Sequence, residues 1–208
     1  MVFLLNDSLV FPDPNRADED GLLAIGGDLS AERLILAYQQ GIFPWYSEGE
    51  PILWYSPHER FVIYSDEIHI SRSMERLIRS DKYRITWDQA FTQVITQCSA
   101  IKRQGQKGTW ITADMIDAYV ALHERGIAHS VEVWQGDILA GGLYGVESGS
   151  VFSGESMFSL MPNTSKMALI YICQRGYKLI DCQLHTAHLS SMGARHIDRK
   201  VYNAILRS

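Results

Sequence analysis

Two short polar insertions in apolar sequence carry the chemistry this chain could do. In Leu179-Ile-Asp-Cys-Gln183, residues two apart share a strand face, so Asp181 and Gln183 are expected to project together while Ile180 and Cys182 point the other way. Glu155 and Ser156, between Gly154 and Met157, form the second insertion. Carboxylates accept protons and an amide donates and accepts at once, so these are groups of proton transfer. Burying them without partners costs roughly 1–3 kcal/mol each. They are therefore expected either in a self-satisfied polar network or in an active site.

Other reactive residues lie close by. Cys182 with His185 or His188 would make a hydrolase nucleophile, but a cysteine in an apolar strand is expected to be an inert core thiol. His185-x-x-His188 lacks an acid or cysteine at ligand spacing, so no metal is expected. The three cysteines, Cys98, Cys173 and Cys182, form no Cys-x-x-Cys pair, which disfavours a disulfide framework and fits a reducing cytoplasm. No stretch reaches the roughly 18–20 apolar residues that cross a bilayer, and the short apolar run at Met1 lacks the basic flank of a signal peptide. Neither export nor a membrane partner is expected.

The elements that must position these groups can be placed along the 208 residues. Residues 1–58 are acidic and turn-rich, with one helix capped by Ser30, stapled by Leu29 and Leu34, and ended at Gly41. Five rings follow in a proline-broken stretch: Phe43, Trp45, Tyr46, Trp54 and Tyr55. Rings in irregular segments are core plugs or a stacking platform for a base. Residues 70–79 predict a helix with Met74, Leu77 and Ile78 inward, and residues 88–99 another. A third helix is capped by Thr112 and stopped at Gly126, and reads as structural. Period-two patterning then predicts an antiparallel meander over 130–153, thinned by Gly141, Gly142 and Gly145 for a bulge or the close approach of a ligand or helix. A helix over 163–175, a strand over 178–183 and a helix over 198–206 complete an α+β fold.

Charge is unevenly spread. The net charge is −5, yet between Arg72 and Trp110 eight basic residues (Arg72, Arg76, Arg79, Lys82, Arg84, Lys102, Arg103, Lys107) face three acids. A basic stripe is either a solvated face or, beside Trp110, a site for phosphate plus base.

Several segments together resemble the bacterial leucyl/phenylalanyl-tRNA-protein transferases: Gly21-Leu-Leu-Ala-Ile-Gly-Gly-Asp-Leu-Ser30, Gly41-Ile-Phe-Pro-Trp45, His69-Ile-Ser-Arg-Ser73, Gly108-Thr-Trp-Ile111, Gly154-Glu-Ser-Met-Phe-Ser159 with Ser165-Lys166, and Leu179-Ile-Asp-Cys-Gln183 followed by His188-Leu and Gly193-Ala. The resemblance implies a GNAT-like acyltransferase domain over 59–208 behind a small N-terminal α+β domain over 1–58. It implies a cytoplasmic, monomeric enzyme that moves Leu or Phe from aminoacyl-tRNA to a protein's N-terminal Arg or Lys, marking that protein for degradation, without cofactor. Under it, Asp181 and Gln183 carry the reaction and Glu155 binds the donor's amino group. Leu143, Phe152, Met157, Leu169 and Ile180 then suit a Leu or Phe side chain, and Trp45 and Trp110 the terminal adenosine. Two alternatives stand beside it. An acyl-CoA N-acyltransferase of the same fold is disfavoured because Met161-Pro-Asn-Thr-Ser-Lys166 offers no glycine for a pyrophosphate loop. A non-catalytic tRNA-binding module has no need of Asp181.

Overall fold

The computed structural model describes residues 2–101 and 109–208. It contains two sheets. Strands β1 (Phe3–Leu5), β2 (Leu22–Gly26), β3 (Phe43–Pro44) and β4 (Leu53–Tyr55) form the smaller one, in the order β1-β2-β4-β3. Helix α1 (Ala31–Gln39) starts where the Ser30 hydroxyl accepts the Arg33 N–H and stops before Gly41, whose φ of +71° suits glycine. A Cβ on Gly41 would also stand 2.9 Å from the Asn203 side chain, so the position is closed twice over to other residues.

The larger sheet has seven strands: β5 (Glu59–Tyr64), β6 (Arg84–Trp87), β7 (Ala128–Gln135), β8 (Ile138–Ser148), β9 (Val151–Ser159), β10 (Leu179–Asp181) and β11 (Arg195–Asp198). Their order is β11-β5-β10-β9-β8-β7-β6, antiparallel throughout except for the parallel pair β9–β10. Helices α2 (Arg72–Ile78), α3 (Phe91–Ala100), α4 (Ala113–Glu124), α5 (Thr164–Cys173), α6 (Ala187–Ser191) and α7 (Arg199–Leu206) pack around it. The α+β class and the β7–β8–β9 meander are as the sequence predicts.

Strand alternation divides the core. Tyr144 and Val146 of β8 face one hydrophobic cluster, shared with α1, α3, α4 and the small sheet through Leu34, Phe91, Val94, Tyr119 and Trp54. Leu143 faces the other, under α5, with Phe152, Leu169 and Ile180. The first cluster therefore runs across residue 58 without a break.

Two local expectations change, and one is met. The helix expected from residue 88 begins at Phe91, because Asp88 sits at φ +56° with its carboxylate engaged by His129 and the Ser130 N–H. Ala90 cannot cap α3, so the buried Glu132 reaches across from β7 to accept the N–H groups of Gln89 and Ala90, both at 3.3 Å. Ile78, expected inward, is exposed on α2. The glycines of β8 answer the approach of a helix and of the sheet itself: a Cβ on Gly141 would meet Thr164 Oγ1 of α5 at 2.2 Å, and one on Gly145 the Ser153 carbonyl at 2.2 Å.

Candidate active site

A β-bulge aims the first carboxylate. The β8–β9 register passes from Tyr144 opposite Ser156 to Gly145 opposite Gly154, leaving Glu155 with no residue across from it. The extra residue bends the strand and turns this side chain out of ordinary alternation. Glu155 is 7% exposed and accepts the Gln183 amide N–H at Oε1 (2.8 Å) and the Tyr119 hydroxyl at Oε2 (3.3 Å). Tyr119 in turn meets the Tyr38 hydroxyl at 2.5 Å. Burial raises the Glu155 carboxyl to about 7, and the negative charge of Asp181 adds to that; hydrogen bonds from Tyr38, Gln183 and Tyr119 oppose it. Burial also pushes both phenols well above their usual range, so they serve as neutral donors.

A strained turn aims the amide. The strand expected to continue to residue 183 ends at Asp181, and Gln183 stands off it at φ +58°. The Leu184 N–H bonds the Cys182 carbonyl at 2.6 Å, closing a three-residue γ-turn of the rare positive-φ kind around Gln183. Asp181 holds this turn, since its Oδ1 accepts the Gln183 backbone N–H at 3.0 Å. Thus Asp181 and Gln183 do meet, but through the Gln183 backbone, and the Gln183 side chain is directed to Glu155 instead. Asp181 itself is 0% exposed and paired at Oδ2 with the Arg60 guanidinium of β5.

Two compartments lie beside these groups. A cavity of about 180 Å³ is lined by Phe43, Trp45, Trp110, Glu155, Gln183 and Leu184 among others. A narrow slot of about 30 Å³ lies beside it, where β10 stops and β9 continues, and Cys182 lines both. All five apolar residues expected around a Leu or Phe side chain, namely Leu143, Phe152, Met157, Leu169 and Ile180, line the slot. Both expected tryptophans line the cavity. Of the five rings near residue 50, Phe43, Tyr46 and Trp54 are buried and Trp45 is 36% exposed, so the stretch supplies core and site together.

Tyr38, Tyr119 and Arg60 are site residues that the sequence reading missed. The α4 helix, read as structural, supplies Tyr119. An amphipathic helix buries a tyrosine as readily for packing as for its hydroxyl, so local pattern gives no signal. Arg60, heading the apolar run Phe61-Val-Ile63, did carry one: a guanidinium at the start of a core strand needs an anion. Cys182 donates to the Ile180 carbonyl at 3.7 Å, and burial drives its thiol pKa well up with Asp181 adding to that, so it is not an ionised nucleophile.

The basic stripe is only partly described. Arg72, Arg76, Arg79, Lys82 and Arg84 are exposed, Arg84 stacking 5.4 Å from the Trp134 ring and Lys82 5.1 Å from that of Tyr83. Lys102, Arg103 and Lys107 lie outside the described residues.

An apolar slot and a tryptophan-walled cavity thus lie side by side, with a carboxyl–amide contact on the wall of the cavity. The description "Leucyl/phenylalanyl-tRNA protein transferase" belongs to the family profile matched by residues 62–207, and that of its N-terminal domain to the profile matched by residues 27–58. A leucyl/phenylalanyl-tRNA–protein transferase of Flavobacterium johnsoniae is 52% identical over 100% of both chains. Proteins of the same name from Myxococcus xanthus (50% identity, 99% of this chain and 90% of that one) and Syntrophus aciditrophicus (53%, 98% and 87%) are similar over nearly all of it. The chain belongs to the leucyl/phenylalanyl-tRNA–protein transferase family.

The slot has a direct test. Met157 stands opposite Leu143 across β8–β9, and Met157→Trp is expected to fill the slot and reject Phe more than Leu, since overpacking penalises the larger group first. Comparing kcat/KM for the two donors checks this. Equal losses in a folded variant would make Met157 a packing residue only.

Proposed function

We propose that this chain transfers leucine or phenylalanine from aminoacyl-tRNA to the N-terminus of a protein that begins with Arg or Lys, marking it for degradation. The reading carries the family's architecture with it: a small N-terminal domain over 1–58 and a GNAT-like catalytic domain over 59–208, working as a cytoplasmic monomer. The observation that supports it best is the Gln183–Glu155 contact of 2.8 Å on the wall of the tryptophan-lined cavity, with the apolar slot adjoining at Cys182. A donor with its side chain in the slot would set its ester carbonyl beside that contact.

In the reaction the acceptor's α-amine attacks the ester carbonyl carbon. A C–N bond forms, the bond from that carbon to the ribose oxygen of the tRNA breaks, and the amine's proton ends on that oxygen. Aminolysis of an ester is downhill, so the site has to align the amine, keep it neutral and favour the oxyanion. Glu155, when ionised, holds the donor's ammonium group. Gln183 faces the reacting centre with an amide that donates and accepts. Asp181, behind it, orients that amide by accepting the Gln183 backbone N–H and so holding the turn that presents it. Trp45 and Trp110 stack on the terminal adenosine.

The decisive experiment is transfer of labelled leucine from leucyl-tRNA to a peptide beginning with Arg, run beside acetyl-CoA as donor. Labelled peptide from the tRNA alone is the expected result, and acetylation instead would overturn the reading. How a chain of net charge −5 holds a polyanion has its own test. Arg76→Ala is expected to flatten the salt dependence of aminoacyl-tRNA binding by roughly 0.7–0.9 of a unit in log–log slope, as loss of one phosphate contact does. Trp110→Ala is expected to lose roughly 1–3 kcal/mol of stacking with the slope unchanged. An unaltered slope in Arg76→Ala would make α2 a solvated face.

A further inference from the structure

Arg60 is nearly fully buried, yet it lines neither compartment and takes no part in the mechanism above. Its bonds run in two directions. One terminal nitrogen pairs with Asp181 Oδ2, and the other donates to the Gly41 carbonyl at 2.7 Å. Gly41 ends the turn after α1 and leads into Phe43-Pro44-Trp45, the wall of the cavity. Asp181 holds the γ-turn that presents Gln183. The guanidinium lies against two rings, 4.3 Å from that of Tyr202 on α7 and 5.1 Å from that of Phe43.

We propose that Arg60 is a positioning residue for the transfer reaction: its guanidinium fixes Asp181, and through Asp181 the strained turn at Gln183, in register with the Gly41 segment that carries Trp45. The inference rests on the function proposed above. A planar fork suits the task because it satisfies two acceptors at a fixed angle, which an ammonium cannot do. A γ-turn with a non-glycine residue at positive φ persists only where its surroundings over-determine it, and an uncompensated Asp181 would hold it less well.

Arg60 also sets the charge balance around Glu155. That carboxyl faces Tyr38 from α1, Tyr119 from α4, Asp181 and Gln183 from the end of β10, and the positive charge of Arg60 from β5. Removing the cation leaves Asp181 unopposed and should make Glu155 harder to ionise.

Two variants separate charge from geometry. Arg60→Gln removes the charge and keeps a donor. It is expected to lower kcat and to move the ascending limb of the kcat/KM–pH profile upward by roughly one unit. Arg60→Lys keeps the charge but loses the fork, and is expected to lower kcat by about 10–10²-fold with the limb in place, as a small misplacement of reacting groups does. In Arg60→Lys, KM for aminoacyl-tRNA should stay within about threefold of wild type. Cooperative thermal unfolding and a native circular-dichroism spectrum establish that each variant is folded. If Arg60→Gln does not fold, Arg60→Lys alone decides between a kcat loss and none. Folded variants with wild-type kcat and an unmoved limb would overturn the role of Arg60 alone. A wild-type chain that transfers no leucine would overturn the function and this role with it.

Discussion

Asp181→Ala is expected to lower kcat by about 10²-fold or more, the cost of misplacing a reacting group, while aminoacyl-tRNA still binds. The same change removes the anion that Arg60 faces and should cost about 3–5 kcal/mol of stability, because a buried guanidinium is left unpaired. It also removes the acceptor of the Gln183 N–H and so frees the γ-turn. Asp181→Asn separates these effects, since an amide oxygen can still accept that N–H. Single-turnover transfer measured beside urea unfolding gives both quantities. A folded Asp181→Ala with near wild-type turnover would overturn that role of Asp181.

Glu155→Gln is expected to abolish the pH dependence that this carboxyl imposes while making the protein more stable at high pH. Its native pKa of about 7 lies above the ordinary 4.5, so the folded state holds a proton that the unfolded chain has released. The stability tied to that proton is complete below pH 4.5 and is lost as pH rises through about 7, a difference on the order of 3 kcal/mol. Glutamine cannot titrate and keeps the neutral form's shape. Urea unfolding at pH 5 and pH 8 should show wild type falling relative to the variant by most of that amount, whereas parallel behaviour at both would mean that Glu155 is ionised throughout. The ascending limb of activity near pH 7 should vanish in the variant along with most transfer.

Much of this site was legible in the sequence because the residues that build it break local rules. Glu155 and Gln183 are polar in apolar surroundings, and the five slot residues are apolar neighbours of those groups, although Phe152 and Met157 share a face only because of the bulge at Glu155. What was not legible depends on distance along the chain. Tyr38 and Tyr119 are 81 residues apart and Arg60 and Asp181 are 121 apart, and no window of sequence holds both members of either pair. The early end of β10 was hidden for another reason: a glutamine at positive φ runs against its own backbone preference, and only tertiary contacts impose it. Likewise the start of α3 was misplaced because partners distant in the chain, His129 and Ser130 on Asp88 and Glu132 on the Gln89 and Ala90 N–H groups, hold residues 88–90 out of the helix.

The hydrophobic cluster that runs across residue 58 bears on how the molecule is made. On the ribosome the small sheet emerges first, but Leu34 and Trp54 find Phe91, Tyr119 and Val146 only after roughly two thirds of the chain has been synthesised. The Arg199 bond to the Ser56 carbonyl, which spans 143 residues, closes later still. A nascent chain of this protein therefore carries an uncovered apolar face through most of its translation, and it should lean on chaperones that shield such faces until α7 docks.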